Sequence, residues 1–344
     1  MSKPWIKTLS LIVGNLLLTG ILLIIALVGI ELFLRYRIPA LDFRGLSSKT
    51  DDVITVRMNP NVSITLGGVS VATNSDGYRD KEFSGTPLQG EMLIGVLGDS
   101  VTFGQVVSQD KTYPALLEKD LNALNPKRRF RVWNLGVCGY NTEQAYYVME
   151  SFLLPRKPDL VILGYNLHNF QPIDLEKQTL SKTSQQNVIN KILSYLDALY
   201  TTHILKQRIG TAIRKLKPDW HASSFVNEIN RNYCSADGLW HSRCLYMDKM
   251  SDLCRQNNTR LVIAILPMML DLENYPFLES NQVLIDYFAS NDVDHVDLFP
   301  HFKGKDPTQF HASPIDSHAN EKAHAIFAGV LTGYVHEKYF AVTE

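Results

Sequence analysis

MLIGVLGDSVTFG, residues 92–104, decides the fold. Residues 92–97 are apolar with no polar alternation, the pattern of a strand covered on both faces. The run stops at Gly98, and Asp99 and Ser100 turn it toward a helix. The same rhythm recurs outward from this stretch. Strand signals fall at 130–135, 159–163, 261–266 and 293–298. Between them, Thr112 and Pro114 open a helix with Leu117, Leu121 and Leu124 on one face, and 141–154 reads as helical. A last helix carries Ala319, Ala323, Ile326, Phe327, Val330 and Tyr334 at helical spacing. Apolar strands alternating with helices predict an α/β domain with a mostly parallel sheet in three α/β/α layers. Ligands of such sheets bind beyond the carboxyl ends of the strands, so chemistry is expected just after Leu97, Leu135, Leu163 and Leu298.

Composition narrows the classes. The 344 residues are 45% hydrophobic and 20% charged, enough to bury a sizeable core. Thirty-four basic residues nearly cancel 35 acidic ones, and no basic patch interleaved with aromatics stands out, so nucleic acid is a poor partner. The four cysteines, Cys138, Cys234, Cys244 and Cys254, form no CxxC pair, which argues against structural zinc. Cys234 and Cys244 bracket SADGLWHSR and are a candidate disulfide in an oxidising compartment; two unrelated thiols fit the spacing as well. Cys254 reads as core.

Residues 8–30, TLSLIVGNLLLTGILLIIALVGI, hold no charge. As a helix they span roughly the 30 Å hydrocarbon layer, and the run continues to Leu34 without a small-x-small cleavage site. A retained single-pass anchor is expected. Lys3 and Lys7 before it balance Arg35 and Arg37 after it, so charge does not orient it. Residues 38–90 are rich in turn formers, at 59–61, 67–68, 74–77 and 84–90. Residues 173–232 interrupt the α/β rhythm with an amphipathic helical stretch at 187–216. It reads as an insertion: a cap over the site, a surface leaning on the membrane, or a plain helical pair.

Ser100 sits at a strand-to-helix turn, where free N–H groups of the following helix can stabilise an oxyanion. GDS alone is a weak signal; its place directly after the first core strand gives it weight. A hydroxyl nucleophile needs a base. His318, in PIDSHANEKAH, lies two residues after Asp316. In an extended segment the two share a side, so the carboxylate can hold one imidazole nitrogen while the other faces Ser100. Asn320 is placed to cap the final helix. His311 and Asp306 read as loop residues at the site entrance, His324 as packed, and Trp133 and Phe103 as core. Cys138 has no His or Asp spaced to activate it.

Taken together, these blocks resemble the SGNH/GDSL hydrolases, and more closely their membrane-anchored bacterial branch, over nearly the whole chain. GDSVTFG is similar to the nucleophile block. NLGVCGYNTEQ at 134–144 is similar to the glycine block, whose matching position, Gly139, supplies an oxyanion N–H. NSDGYRD at 74–80 resembles the segment ahead of the nucleophile strand, and RLVIAILP, DLFPHFKG and DSHANEKAH follow in order. One block departs: where the family has an Asn-Asp after the third strand, this chain reads GYNLHNF. The oxyanion donor is then Asn166 in the short register, with His168 or Asn169 as alternatives in the longer one. The resemblance implies a flavodoxin-like SGNH domain at 91–340 with the insertion at 173–232. Ahead of it stand a tail at 1–7, an anchor at 8–34 and a linker with extension at 35–90.

The resemblance also implies a catalytic domain on the periplasmic or extracellular side of the cytoplasmic membrane. The expected chemistry is acyl-enzyme ester hydrolysis by Ser100, His318 and Asp316 without metal or organic cofactor. The ester is expected on a carbohydrate or lipid of the cell envelope. One alternative is an O-acyltransferase of exopolysaccharide or cell-wall glycan served by a membrane acyl-donor partner. Another is a catalytically weak scaffold of an envelope system.

Overall fold

Five strands pair side by side, the inner three with apolar runs that tolerate water on neither face and the edge strand Asp294–Asp297 polar and half-buried. They are β1 (Glu91–Gly98), β2 (Arg129–Gly136), β3 (Leu160–Tyr165), β4 (Arg260–Ile265) and β5 (Asp294–Asp297). The computed structural model describes residues 4–37, 43, 45–50, 54–83, 90–171, 199, 201–202, 205, 209, 224–314 and 316–340. The sheet order is β2-β1-β3-β4-β5 and every pairing is parallel. β3 is buried at every residue and β1 at its last six. The helices Tyr113–Leu124, Thr142–Val148, Leu245–Gln256, Leu278–Ser290 and Glu321–Val335 alternate with the strands along the chain. This is the expected α/β/α arrangement of the flavodoxin-like, SGNH-like kind. The chain leaves β1 toward β2 on one side and returns to β3 on the other. That reversal opens a crevice at the carboxyl ends of β1 and β3.

The chain divides into two units, Met1–Ala40 with Ser181–Leu216, and Leu41–Leu180 with Lys217–Glu344. The first contains the helix Pro4–Arg37, of which Thr8–Arg37 is long and apolar enough to cross a membrane. Leu11, Leu16 and Leu32 on it are exposed. Glu31 accepts from Arg35 at 2.8 Å and from the Thr201 N–H and hydroxyl at 3.1 Å. Most of the amphipathic stretch 187–216 lies outside the described residues; the described part of the expected insertion includes the start of the helix Ser224–Cys234.

In the second unit, the turn-rich extension ahead of β1 packs into the core. Hairpins pair Ser47–Lys49 with Val56–Met58 and Ser63–Leu66 with Val69–Ala72, and bury Leu46, Met58, Leu66, Val71 and Tyr78. β2 is an edge strand whose outward N–H groups are capped by side chains. Phe130 N donates to Asn122 at 2.9 Å, Val132 N to Glu118 at 2.8 Å and Asn134 N to Asp80 at 2.8 Å.

The cysteine expectation needs correction: all four are free thiols. Cys234 ends its helix with Sγ 3.8 Å from Ser280 Oγ, whereas Cys244 Sγ donates to the His241 carbonyl at 3.2 Å. The residues between them form their own short helix, Leu239–Arg243, so the loop closes by backbone structure and not by a bridge.

Three glycines lie abreast at the strand ends: Gly98 of β1 is in register with Gly136 of β2 and Gly164 of β3. A Cβ on Gly136 would come within 2.4 Å of Phe103 N and 2.6 Å of the Thr102 carbonyl carbon; one on Gly164 would meet Tyr113 Oη at 2.4 Å. On Gly98, at φ 155°, it would meet Thr102 Oγ1 at 2.1 Å. The helical turn after β1 therefore rests directly on the sheet, and Thr102 Oγ1 meets the buried Tyr113 hydroxyl at 2.8 Å. Gly136→Ala pushes against backbone that cannot rotate away. It is expected to destabilise the domain by about 1–3 kcal/mol, measured by urea denaturation.

Candidate active site

Ser100 opens the one-turn helix Ser100–Phe103 at the end of β1. Asp99 caps that turn: its Oδ1 accepts from Val101 N at 2.8 Å. The far end is held by Arg79, from the NSDGYRD stretch, which is 1% exposed. Its guanidinium donates to the carbonyls of Phe103 at 3.1 Å, Val107 at 2.7 Å and Gly104. Burial lowers the Arg79 pKa to about 10, so it stays charged at neutral pH while meeting carbonyl dipoles and the face of the Phe103 ring, 5.3 Å from its centroid.

The candidate base, His318, comes from the other end of the chain. Strand Asp316–Ala319 pairs antiparallel with His311–Ser313, with His311 opposite Ala319 and Ser313 opposite Asp316. Asn320 fastens this hairpin to the last helix. Its Oδ1 caps Lys322 N and Ala323 N at 3.0 and 3.2 Å, and its Nδ2 donates to the Gln309 and His311 carbonyls. The last helix is docked in turn by His324, whose Nδ1 accepts from Tyr113 N at 3.0 Å. Burial pushes His324 down to about 3, so it remains a neutral packing residue, as its sequence position suggested.

This scaffold sets His318 Nε2 2.9 Å from Ser100 Oγ across 218 positions of sequence. His318 Nδ1 lies 2.6 Å from Asp316 Oδ1, and the same oxygen accepts the His318 N–H at 3.0 Å. An ionised carboxylate can only accept, so the proton sits on Nδ1 and Nε2 is left to accept from Ser100. Burial pulls the His318 pKa down; the hydrogen bond and charge of Asp316 outweigh it and raise it above the ordinary 6.5. Burial pushes Asp316 up, but His318 holds it below the usual carboxylate range.

The expected oxyanion donors sit on the other two strand ends. Val137 N donates to Gly98 O at 3.1 Å, tying the Gly139 loop to β1. Gly139 has φ 81°. Among the described residues its N–H and that of Ser100 have no hydrogen-bond partner. After β3, Asn166 Nδ2 donates to Asp99 Oδ2 at 2.9 Å, leaving one amide proton uncommitted. The two alternatives are engaged elsewhere. Asn169 accepts from Asn166 N at 2.6 Å and donates to the Tyr140 carbonyl at 3.0 Å, bridging the β3 and β2 loops. His168 points Nε2 at Asp99 Oδ2, 3.1 Å away.

Other residues singled out in the sequence are engaged elsewhere. His311 Nε2 lies 2.7 Å from the Met269 carbonyl, and Asp306 caps Thr308 N. Burial pushes the Cys138 thiol up, which keeps it protonated. Trp133, Phe103 and Cys254 are buried in the core. Among the described residues no group of three or more His, Cys, Asp or Glu could hold a metal.

Reading from the sequence missed Asp99 and Arg79 as builders of the turn that carries Ser100. Asp99 carried a usable signal, since an Asp directly before a helix is a cap. Arg79 carried none beyond its motif, because its partners are backbone carbonyls.

A profile described as the GDSL-like Lipase/Acylhydrolase family matches residues 96–326. Among solved structures the chain is similar to an acetylxylan esterase from Geobacillus stearothermophilus. Identity there is 13% and the TM-score 0.42, covering 74% of this chain and 96% of that one. It is also similar to a GDSL-like lipase from Bacteroides thetaiotaomicron, with 12% identity, TM-score 0.39 and coverage of 74% and 92%. No curated protein matches.

The Asn169 bridge gives a test of the site's frame. Asn169→Asp keeps the acceptor for Asn166 N but sets a carboxylate oxygen against the Tyr140 carbonyl. A loss of about 1–3 kcal/mol in unfolding free energy is expected, read from denaturant midpoints.

Proposed function

The chain belongs to the GDSL-like lipase/acylhydrolase family, a group acting on ester bonds, and we propose that it is a serine ester hydrolase working through an acyl-enzyme on Ser100. The observation that carries this reading is the 2.9 Å approach of Ser100 Oγ and His318 Nε2, with Asp316 behind the imidazole. His318 takes the Ser100 proton as Oγ attacks the ester carbonyl. The N–H groups of Ser100 and Gly139 and the free amide proton of Asn166 receive the oxyanion. His318 then protonates the departing alcohol, and a water deprotonated by the same nitrogen releases the acid.

The substrate class we propose is an O-acyl ester of envelope carbohydrate or lipid. Its support is the helix Thr8–Arg37, read as a single-pass anchor in the cytoplasmic membrane with the hydrolase domain on the periplasmic or extracellular side. If a glycan hydroxyl replaces water in the second step, the same site makes an O-acyltransferase fed by a membrane acyl donor; the Asp316–His318 spacing motivates that variant. Fluorophosphonate labelling tests the core of the reading. The wild type is expected to label and Ser100→Ala to be blank, whereas an unlabelled wild type would favour the scaffold alternative. Release of acetate from a chromogenic ester is then compared with and without oligosaccharide. Hydrolysis unaffected by any acceptor argues against transfer.

The protonation states predict a pH profile. His318 must be neutral to accept a proton, and Asp316 raises its pKa. So kcat/KM is expected to climb with pH around a midpoint above 6.5. Asp316→Asn removes the contribution that raises it. The midpoint should move to lower pH, and kcat should fall roughly 10²–10⁴-fold, the worth of a well-held general base. A midpoint that stays put would separate Asp316 from His318.

A further inference from the structure

Asp99 is the most enclosed charged group at the site. Its carboxylate is fully buried, one residue before the nucleophile, and lies close to where an oxyanion would form. Burial alone would push its pKa up, yet it is held below the usual range, first by the His168 hydrogen bond and charge and then by Val101 N and Asn166. One oxygen, Oδ1, takes Val101 N at 2.8 Å. The other, Oδ2, takes both Asn166 Nδ2 at 2.9 Å and His168 Nε2 at 3.1 Å. Among the described residues no Lys or Arg contacts it. His168 is therefore the one basic side chain that meets this charge, and it does so from a half-exposed position, 35% accessible against 0% for Asp99.

Two consequences follow for Asn166. A carboxylate only accepts, so the contact fixes which end of the amide faces Asp99 and leaves the second Nδ2 proton to point elsewhere. The same carboxylate opposes any negative charge growing near that proton, because like charges in a dry site repel strongly. A donor on Oδ2 from outside relieves both effects: it satisfies the oxygen's second acceptor position and draws off part of its charge.

Resting on the serine hydrolase reading, we propose that His168 is a positioning residue of the oxyanion side. Its Nε2–H, placed on Asp99, holds the Asp99–Asn166 contact in the geometry that frees one Asn166 proton for the substrate carbonyl oxygen. His168 does not touch the substrate oxygen itself.

Steady-state kinetics of the full chain on a chromogenic acetyl ester test this with His168→Ala and His168→Gln. His168→Ala should lower kcat about tenfold, a fraction of the 10²–10³ that losing an oxyanion donor outright costs, with KM little changed. Its melting temperature should stay near that of the wild type. His168→Gln, which keeps a side-chain N–H able to reach Asp99, should recover most of the rate. A His168→Ala enzyme with wild-type kcat overturns the proposal, and so does a Gln variant as slow as the Ala variant. A rate loss matched by loss of folded protein does the same. Fluorophosphonate labelling keeps the two levels apart. A wild type that labels at Ser100 while His168→Ala turns over normally sinks only the role of His168; a wild type that neither labels nor depends on Ser100 sinks both.

Discussion

The site depends on how closely a helical turn can approach the ends of three strands. Gly136, Gly98 and Gly164 lie in one row across the sheet, and the first turn after β1 rests on them with atoms that a single added carbon would strike. Any larger residue there lifts Ser100 away from the level of the His318 imidazole. The row also explains why Thr102 and Tyr113 are fully or almost fully buried although both are polar. With the turn pressed onto the sheet, their hydroxyls can satisfy only each other. Arg79 completes the clamp from the opposite end, tying the carbonyls that follow the turn.

Two aspartate–histidine contacts flank Ser100 and differ in kind. Asp316 is in the hairpin that carries His318 and acts on a ring whose other nitrogen faces Ser100. Asp99 is buried in the turn itself, and its histidine approaches from a half-exposed loop. The first pair moves a proton in the proposed chemistry, whereas the second holds a charge in place. The same residue types separate in role because burial and direction differ.

Much of the fold was legible in the sequence because a parallel sheet covered on both faces needs uninterrupted apolar strands. The expected runs and the observed strands agree within a residue or two at each end. Local site features were equally readable: a serine at a strand end, the Asp316–His318 spacing and the Asn320 cap. The proximity of Ser100 to His318 could only be inferred from block order, since nothing local encodes a contact spanning 218 positions. The packing of the extension ahead of β1 was not legible, because its turn formers outnumber its few core residues, Leu46, Met58, Leu66, Val71 and Tyr78. The loop GYNLHNF left three candidates for one donor. Side-chain direction sets them apart: Asn169 bridges two loops, His168 faces Asp99, and Asn166 contacts the turn that carries Ser100 through Asp99.

The stopper side chains along β2 bear on how the domain behaves in crowded solution. A strand with one free edge offers a ladder to any extended peptide, including a copy of itself. Here Asn122, Glu118 and Asp80 occupy every second rung from Phe130 to Asn134. An incoming strand would have to evict one of these acceptors for each of the three N–H groups it takes. On this side the sheet edge is blocked against fibril-like growth by side chains of the helix Tyr113–Leu124 and of the segment ahead of β1.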